Sequence, residues 1–411
     1  MRSWVRLGAA VIAVALAAAL VASATAGRFP LWLNSSASAA PSAGRSSPAH
    51  GTPTSRPPGS PSAGSPSATP SAPALSLQQM AGQRVIFSYG GLRPPASLLN
   101  LIRHGEAAGV IFFSQNVSSD AQIAKVIAEL EQADASPTNP VRKPLLLMTD
   151  QEGGQIRRLP GPPVLSEAQI GASSNPAAAA ANAGTTAGQY LRGLGLNVDL
   201  APVLDVFRQP GDFDDQFQRS YSMDPAVVSE LGSDFITAQQ AQGVASTAKH
   251  FPGLGAATQP EDTDLRPVTL KVPLATIRDT DEVPYKAAIA AGVRLVLVSW
   301  AVYPALDPGR PAGLSSTIVN GELRKRLGFK GVTITDALEA GALRAYGSFQ
   351  NRSLLAAEAG MDLILCSQQN VSEGEQAVIG LENGYRGGQL PKQAFNAALD
   401  RVLALRSSLG G

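Results

Sequence analysis

The sequence predicts an α/β fold: a (β/α)8 barrel of the TIM type, forming one folded domain. Three observations carry that expectation. Eight short apolar segments recur between residues 75 and 409, Ala-rich segments of helical character separate most of them, and several apolar segments run straight into a charged residue. Strand and helix in alternation imply parallel pairing through crossover helices. Eight such units in roughly 330 residues match the size of a (β/α)8 barrel. An open doubly wound sheet is the main alternative. It usually begins with a glycine-rich phosphate turn after its first strand, and none stands at that place.

The predicted strands cover residues 84–88, 109–113, 145–149, 198–202, 244–248, 295–299, 332–335 and 361–366. The intervening helices include 121–133, 175–194, 225–242 and 354–360, and a terminal helix covers about 392–409. Together these place the barrel domain in residues 75–411.

Two segments precede it. Arg2 and Arg6 form a basic start, an apolar Ala/Val/Leu run extends from Leu7 to about Val21, and Ala24-Thr25-Ala26 has the small-x-small form of a cleavage site. Residues 1–33 therefore read as an export signal. The apolar run is nearly long enough to span a bilayer, so an uncleaved signal anchor is the alternative. No cysteine stands there to carry a lipid. Residues 34–74 are mostly Ser, Ala, Pro, Gly and Thr, with no Asp, Glu, Phe, Trp or Tyr. Such a segment cannot bury enough apolar surface to offset the entropy of ordering. It reads as a disordered, Pro-extended linker. An export signal followed by a stalk suggests a domain held off a membrane or working in a cell wall.

Composition removes several function classes. The formal net charge is +1, so there is no basic field of the kind that tracks a phosphate backbone, and nucleic acid is not expected as a partner. The single cysteine, Cys366, excludes an intrachain disulfide and lies in the apolar run Met361-Asp362-Leu363-Ile364-Leu365-Cys366; it reads as a small buried hydrophobe. Only His50, His104 and His250 are present. His50 falls in the linker, and His104, in Ile102-Arg103-His104-Gly105-Glu106, reads as a helix-end surface residue. Two histidines in the folded part are too few for a His-rich zinc site. No HExxH, CxxC or P-loop pattern occurs.

The strand ends hold the chemistry, because active sites of (β/α)8 barrels lie at the C-terminal ends of the strands. Strand three ends at Asp150, with Glu152 and Arg158 just beyond. Strand four leads to Asp205. Strand five ends at Lys249 and His250, which stand before a Phe251-Pro252-Gly253 turn. Strand six ends at Ser299 and Trp300, and strand seven at Asp336. Carboxylates accept hydrogen bonds from hydroxyls, and Lys and Arg donate to them, so this set suits a ligand rich in hydroxyl and amide groups. Trp300 offers an apolar face for a sugar ring. Each residue also has a plainer explanation. A strand-end Asp often caps the next helix, Asp205 fits a buried hydrogen-bonding hub, and Lys249 could pair with Asp150 or Asp205 for structure alone. Packing does not readily explain the joint arrangement.

These motifs resemble glycoside hydrolase family 3, in particular its single-domain β-N-acetylglucosaminidases from actinobacterial cell envelopes. Gly109-Val110-Ile111-Phe112-Phe113-Ser114-Gln115-Asn116 resembles the family's second strand. Asp150-Gln151-Glu152-Gly153-Gly154 with Arg158 resembles its third. Asn197-Val198-Asp199-Leu200-Ala201-Pro202-Val203-Leu204-Asp205-Val206 is similar to the fourth, and Arg219-Ser220-Tyr221 with Asp224-Pro225 to the segment after it. Lys249-His250-Phe251-Pro252-Gly253 matches the fifth. The resemblance spans nearly the whole folded part. It implies that Asp336 is the nucleophile of a retaining reaction through a glycosyl-enzyme. It also implies that Asp150, Arg158, Arg219, Lys249 and His250 hold the first sugar. No metal and no organic cofactor is implied. The expected partner is a carbohydrate with a β-linked amino sugar, the expected state a monomer, and the only membrane contact an N-terminal anchor.

The sequence departs from the family in one loop. Leu254 replaces the His that usually follows Lys-His-Phe-Pro-Gly, and Gly255-Ala256-Ala257-Thr258-Gln259-Pro260-Glu261-Asp262-Thr263-Asp264 holds no histidine where the family carries its acid/base His. If Asp262-Thr263-Asp264 takes the place of the usual Asp-Ser-His, Asp264 is the nearest proton donor, with Asp262 and Glu261 next. Ala337 also stands where an Asp commonly follows the nucleophile. A carbohydrate-binding homologue without turnover, a β-glucosidase of the family and a phosphorylase remain as alternatives. The larger β-glucosidases carry a further C-terminal domain, whereas here the sequence ends soon after the eighth strand.

Overall fold

A computed structural model describes residues 74–409. The expected export signal, and all of the linker except Ala74, lie outside those residues. The eight predicted strands all form: β1 (Val85–Phe87), β2 (Gly109–Ile111), β3 (Leu146–Thr149), β4 (Val198–Asp199), β5 (Ala245–Phe251), β6 (Leu295–Val298), β7 (Val332–Thr335) and β8 (Ile364–Leu365). Seven parallel ladders join them in chain order, with β8 returning to pair with β1. A bridge between Ile334 and Leu363 links β7 to β8. The sheet thus wraps round on itself as a (β/α)8 barrel.

Alternation along each strand divides the core. Ile86, Ile111, Met148, Val198, Leu295, Leu297, Val332 and Ile334 pack together inside the barrel. Val85, Phe87 and Val110 face outward, packing with helix residues such as Ile123, Ile127 and Leu191. This is the period-two pattern of strands with both faces covered. The terminal helix, Lys392–Ser408, adds Val402 and Leu405 to the inner cluster. Its Arg406 donates to the carbonyls of Pro144 at 2.7 Å and Lys143 at 2.5 Å, just ahead of β3. The helix therefore covers the N-terminal mouth of the barrel and leaves the other end for chemistry.

Helix ends follow local signals. Asn175 caps Pro176–Leu194, whose first residue is the proline, and Gly195 ends it at φ 95°. Proline lacks the N–H that a helix start would waste, and glycine accepts the left-handed turn. Phe349–Ala359 begins five residues before its predicted start, because Ser348 caps it through the Asn351 amide. Most strands are shorter than expected, and two boundaries bear on the site. β4 stops at Asp199 instead of 202, since Pro202 has no N–H to donate. The Ala201 and Pro202 carbonyls still accept from Thr247 at 2.8 Å and Lys249 at 3.3 Å. β5 runs three residues further than expected, so Lys249 and His250 lie within the strand. Pairing continues through Val203–Lys249 and Phe251–Val298, and Pro252 ends it. His104 caps the helix Ala96–Arg103 and is exposed, and Cys366 is buried with a free thiol. Among the described residues no helix is long and apolar enough to cross a membrane.

Candidate active site

The C-terminal ends of the strands open on a cavity of about 290 Å³. All eight predicted site residues line it: Asp150, Arg158, Arg219, Lys249, His250, Asp262, Asp264 and Asp336. They come from β5 and from the segments that follow β3, β4, β5 and β7.

Its floor is an ion network. Lys249 Nζ lies 2.8 Å from Asp150 Oδ1 and 2.6 Å from Glu152 Oε1. Asp150 and Glu152 are two residues apart in extended chain, which sends both side chains to one face. Arg219 donates to both Glu152 oxygens, Nε and Nη2 each at 2.8 Å. This bidentate fork fixes the guanidinium plane. Glu152 is buried, yet the charges of Arg219 and Lys249 outweigh the cost of desolvation and hold its carboxyl down at about 2. Arg158 lies 3.8 Å from Asp150, and its buried Nε has no hydrogen-bond partner. Lys249 thus pairs with Asp150, as one of the two expected options had it, but its second partner is Glu152 and not Asp205.

Sequence reasoning noted Glu152 without placing it in the site. Its presence two residues past a strand-end Asp was the available signal. Breaking a buried ion pair on one side costs about 3–5 kcal/mol. Glu152→Gln is therefore expected to lower the urea unfolding midpoint, with the loss in that range. The wild-type contribution is present above the unfolded-state carboxyl value and disappears as pH falls through about 2. An unchanged midpoint at neutral pH would remove the network from the account of stability.

Asp205 is the buried hub. Its Oδ2 accepts from His250 Nδ1 at 2.6 Å, and its Oδ1 accepts from the backbone N–H groups of Leu254 at 2.5 Å and His250 at 3.3 Å. Burial, then Arg219, lowers His250 to about 4. The imidazole is neutral at pH 7, its Nδ1–H donates to Asp205, and Nε2 offers a lone pair beside Arg219 Nη2 at 3.4 Å. Asp214, which sequence reasoning missed, completes the cluster. Burial, then the Asp205 charge, raises it to about 7. Asp205, Asp214 and His250 each bring one ligand-type atom within 4.8 Å of the others. A cation is already there: Arg219 lies 3.4 Å from Asp214 Oδ1. The set does not call for a metal ion.

Asp336 follows β7, and its Oδ1 accepts from the Ala337 amide at 2.8 Å. Burial, then the charge of Asp264, raises it to about 6. Trp300 corrects the sequence reading. It is fully buried rather than offering a face to sugar, and its Nε1–H donates to the Ala337 carbonyl at 2.8 Å. It braces the turn that presents Asp336.

The His-less loop folds back on that same turn. Gly341 donates to the Asp264 carbonyl at 2.7 Å and Ala342 to that of Thr263 at 3.0 Å. Within the loop, Glu261 accepts from the Thr258 amide and hydroxyl, both at 2.8 Å, and Asp262 Oδ1 accepts from the Asp264 amide at 2.8 Å. Glu261 and Asp262 are thus engaged in holding the loop. Asp264 has no such engagement and stands at the pocket mouth. Surrounding protein, then Asp262, raises it to about 6; its outer surface remains exposed, and solvent tempers the shift.

Residues 76–405 match the glycosyl hydrolase family 3 N-terminal domain. The chain belongs to glycosyl hydrolase family 3. A protein from Arthroderma benhamiae, named an uncharacterized secreted glycosyl hydrolase, is 46% identical over 82% of this chain and 95% of its own. A beta-hexosaminidase of Xanthomonas oryzae pv. oryzae is 32% identical over 72% of this chain and 87% of its own. Among solved structures, the family 3 β-N-acetylglucosaminidase of Paenibacillus sp. str. FPU-7 superposes with a TM-score of 0.77 at 34% identity, and the shared part covers 82% of this chain and 64% of that one. The β-N-acetylhexosaminidase of Beutenbergia cavernae gives 0.72 at 33% identity, covering 81% and 99%. Within the family the chain is a glycoside hydrolase of the β-N-acetylhexosaminidase-like type.

Proposed function

We propose that this chain is an exported, retaining, exo-acting β-N-acetylglucosaminidase that removes terminal β-linked N-acetylglucosamine from cell-wall fragments or related glycans. The observation that carries the reading is the meeting of Asp336 and Asp264 in one cavity, above a floor of Asp150, Arg158, Lys249 and His250. Asp336 attacks the anomeric carbon. The bond to the leaving oxygen breaks, and the Asp264 carboxyl passes its proton to that oxygen. The Asp264 carboxylate then takes a proton from water, the water oxygen bonds to the anomeric carbon, and Asp336 is released. Two displacements give net retention. A cavity of about 290 Å³ with buried Lys249 and His250 at its base is small against a glycan chain, which favours cleavage at a chain end. The amino-sugar preference is supported by the names of the hexosaminidase relatives. Export is supported by the signal-like residues 1–33 and by the secreted relative.

The full chain is expected to hydrolyse an aryl β-N-acetylglucosaminide and to turn over the matching β-glucoside far more slowly. Equal rates would replace the amino-sugar reading with a broad β-glycosidase. Acceleration by added phosphate, with release of a sugar 1-phosphate, would mark a phosphorylase. A carbohydrate-binding protein without turnover is the second reading, favoured by the loop that lacks histidine. Sugar bound with no cleavage of the activated aryl substrate would establish it.

A further inference from the structure

An aromatic pair at the pocket mouth is not used by the first-sugar contacts or by the proton transfers. Phe213 and Phe217 line the same cavity as Asp264. Their ring centroids are 5.7 Å apart at 80°, edge to face. Phe213 is half-buried, whereas Phe217 keeps 36% of its surface exposed. Next to Asp264 in the chain, Leu265 is 63% exposed. Large apolar side chains left in water beside a functional cavity are informative in a way that scattered ones are not.

The segment that presents them is pinned. The Phe213 amide donates to the Ala257 carbonyl at 2.9 Å, which ties it to the loop leading to Asp264. Asp212 Oδ2 accepts from the amides of Arg208 at 2.9 Å and Gln209 at 2.7 Å, and Asp215 Oδ2 from Gly211 at 2.7 Å. The Arg219 amide returns to the Asp214 carbonyl at 3.0 Å. A ring held this way loses little freedom when a ligand covers it.

Depth orders the pocket. Lys249 and His250 are buried at its floor, while Asp264 and Phe217 are exposed at its mouth. A group leaving from the first sugar must pass beside the proton donor toward solvent, and Phe217 is an exposed aromatic residue lining the same cavity. A pyranose ring has a face of C–H groups, which suits the negative face of an aromatic ring. We propose that Phe217, backed edge-on by Phe213, forms the subsite for the leaving group, and that its occupant is a second sugar ring. This inference rests on the glycosidase reading above, since it takes the first ring to sit on the floor.

The test is equilibrium binding to the full chain carrying Asp336→Asn, which holds ligand without turnover. The two ligands are N-acetylglucosamine and its β-1,4-linked disaccharide. The disaccharide is expected to bind about tenfold more tightly, equivalent to about 1.4 kcal/mol. Adding Phe217→Ala is expected to shrink that advantage below twofold, and Phe217→Tyr to retain it. Monosaccharide affinity serves as the control that the Ala variant is folded. A disaccharide advantage that survives Phe217→Ala, or no advantage while the monosaccharide binds, overturns the subsite and leaves the first-sugar reading standing. Binding of neither ligand overturns the first-sugar reading and the subsite with it.

Discussion

Asp336→Ala is expected to lower kcat on an aryl β-N-acetylglucosaminide by roughly 10⁴–10⁶-fold, the scale on which removal of an enzymic nucleophile acts. The reason lies in what the residue does in the proposed mechanism. It forms a bond to carbon in the transition state, and no neighbour can replace that bond. Asp150 and Asp264 line the same cavity, but Asp150 is held by Lys249 and Asp264 stands on the loop side, where the leaving oxygen goes. Sugar affinity should change little, because the floor contacts remain. Azide supplies a stereochemical check. In the Ala variant it can enter the vacated space and attack the anomeric carbon directly, so the product is the α-glycosyl azide. Unchanged turnover, or restored turnover giving only the β-azide, would move the nucleophile to another residue.

Much of the fold was legible because the barrel is locally encoded. Each strand is a short apolar run, and each helix start or stop has its own cap, as at Asn175 and Gly195. The candidate site was legible for a related reason. Strand ends in a parallel barrel all point to one rim, so Asp150, Lys249 and Asp336 had to meet once the strands were placed. Partners across the barrel were much less accessible. That Lys249 would choose Glu152 over Asp205 depends on strand pairing set by Val203 and Lys249, which no local pattern encodes. Trp300 shows the same limit. At a strand end its indole could have faced the ligand or the core, and its packing beneath Gly313 decides for the core, where a side chain at 313 would collide with the ring. Asp214 lies in the single helical turn Phe213–Gln216 and Phe217 caps it, between β4 and the helix Pro225–Gln240, and one turn is too short for periodicity to mark which side chains point inward.

Asp264→Ala separates an enzyme with an unusual acid from a binder, and its effect depends on the leaving group. With a sugar leaving group kcat/KM should fall roughly 10²–10⁴-fold, the usual worth of a positioned general acid. With a dinitrophenyl leaving group, which departs without protonation, formation of the glycosyl-enzyme should be nearly unaffected. Hydrolysis of that intermediate then becomes slow, since no carboxylate draws the proton from water. Azide needs no deprotonation and should restore the rate, giving the β-glycosyl azide because Asp336 is still in place. The pH dependence follows from where the shared proton resides. Surrounding protein raises both carboxyls toward about 6, a shift that solvent tempers at the exposed Asp264, and the Asp264 charge adds to the rise at Asp336. They titrate as a pair, so the apparent values belong to the pair. His250, the Ala337 amide and the Lys249 charge hold Asp336 down, whereas Asp264 faces the negative charges of Asp262 and Glu339, offset in part by Arg219. The proposed reaction requires the shared proton on Asp264, with Asp336 ionised. The acid limb of the pH profile reports ionisation of Asp336, and the basic limb reports loss of the Asp264 proton, so activity should peak on the acid side of neutrality. Asp262→Asn removes one of the charges that keep that proton bound, and the basic limb should move to lower pH. In Asp264→Ala the basic limb should vanish for the dinitrophenyl substrate with azide present. A basic limb unmoved by either change would place the proton donor outside this loop.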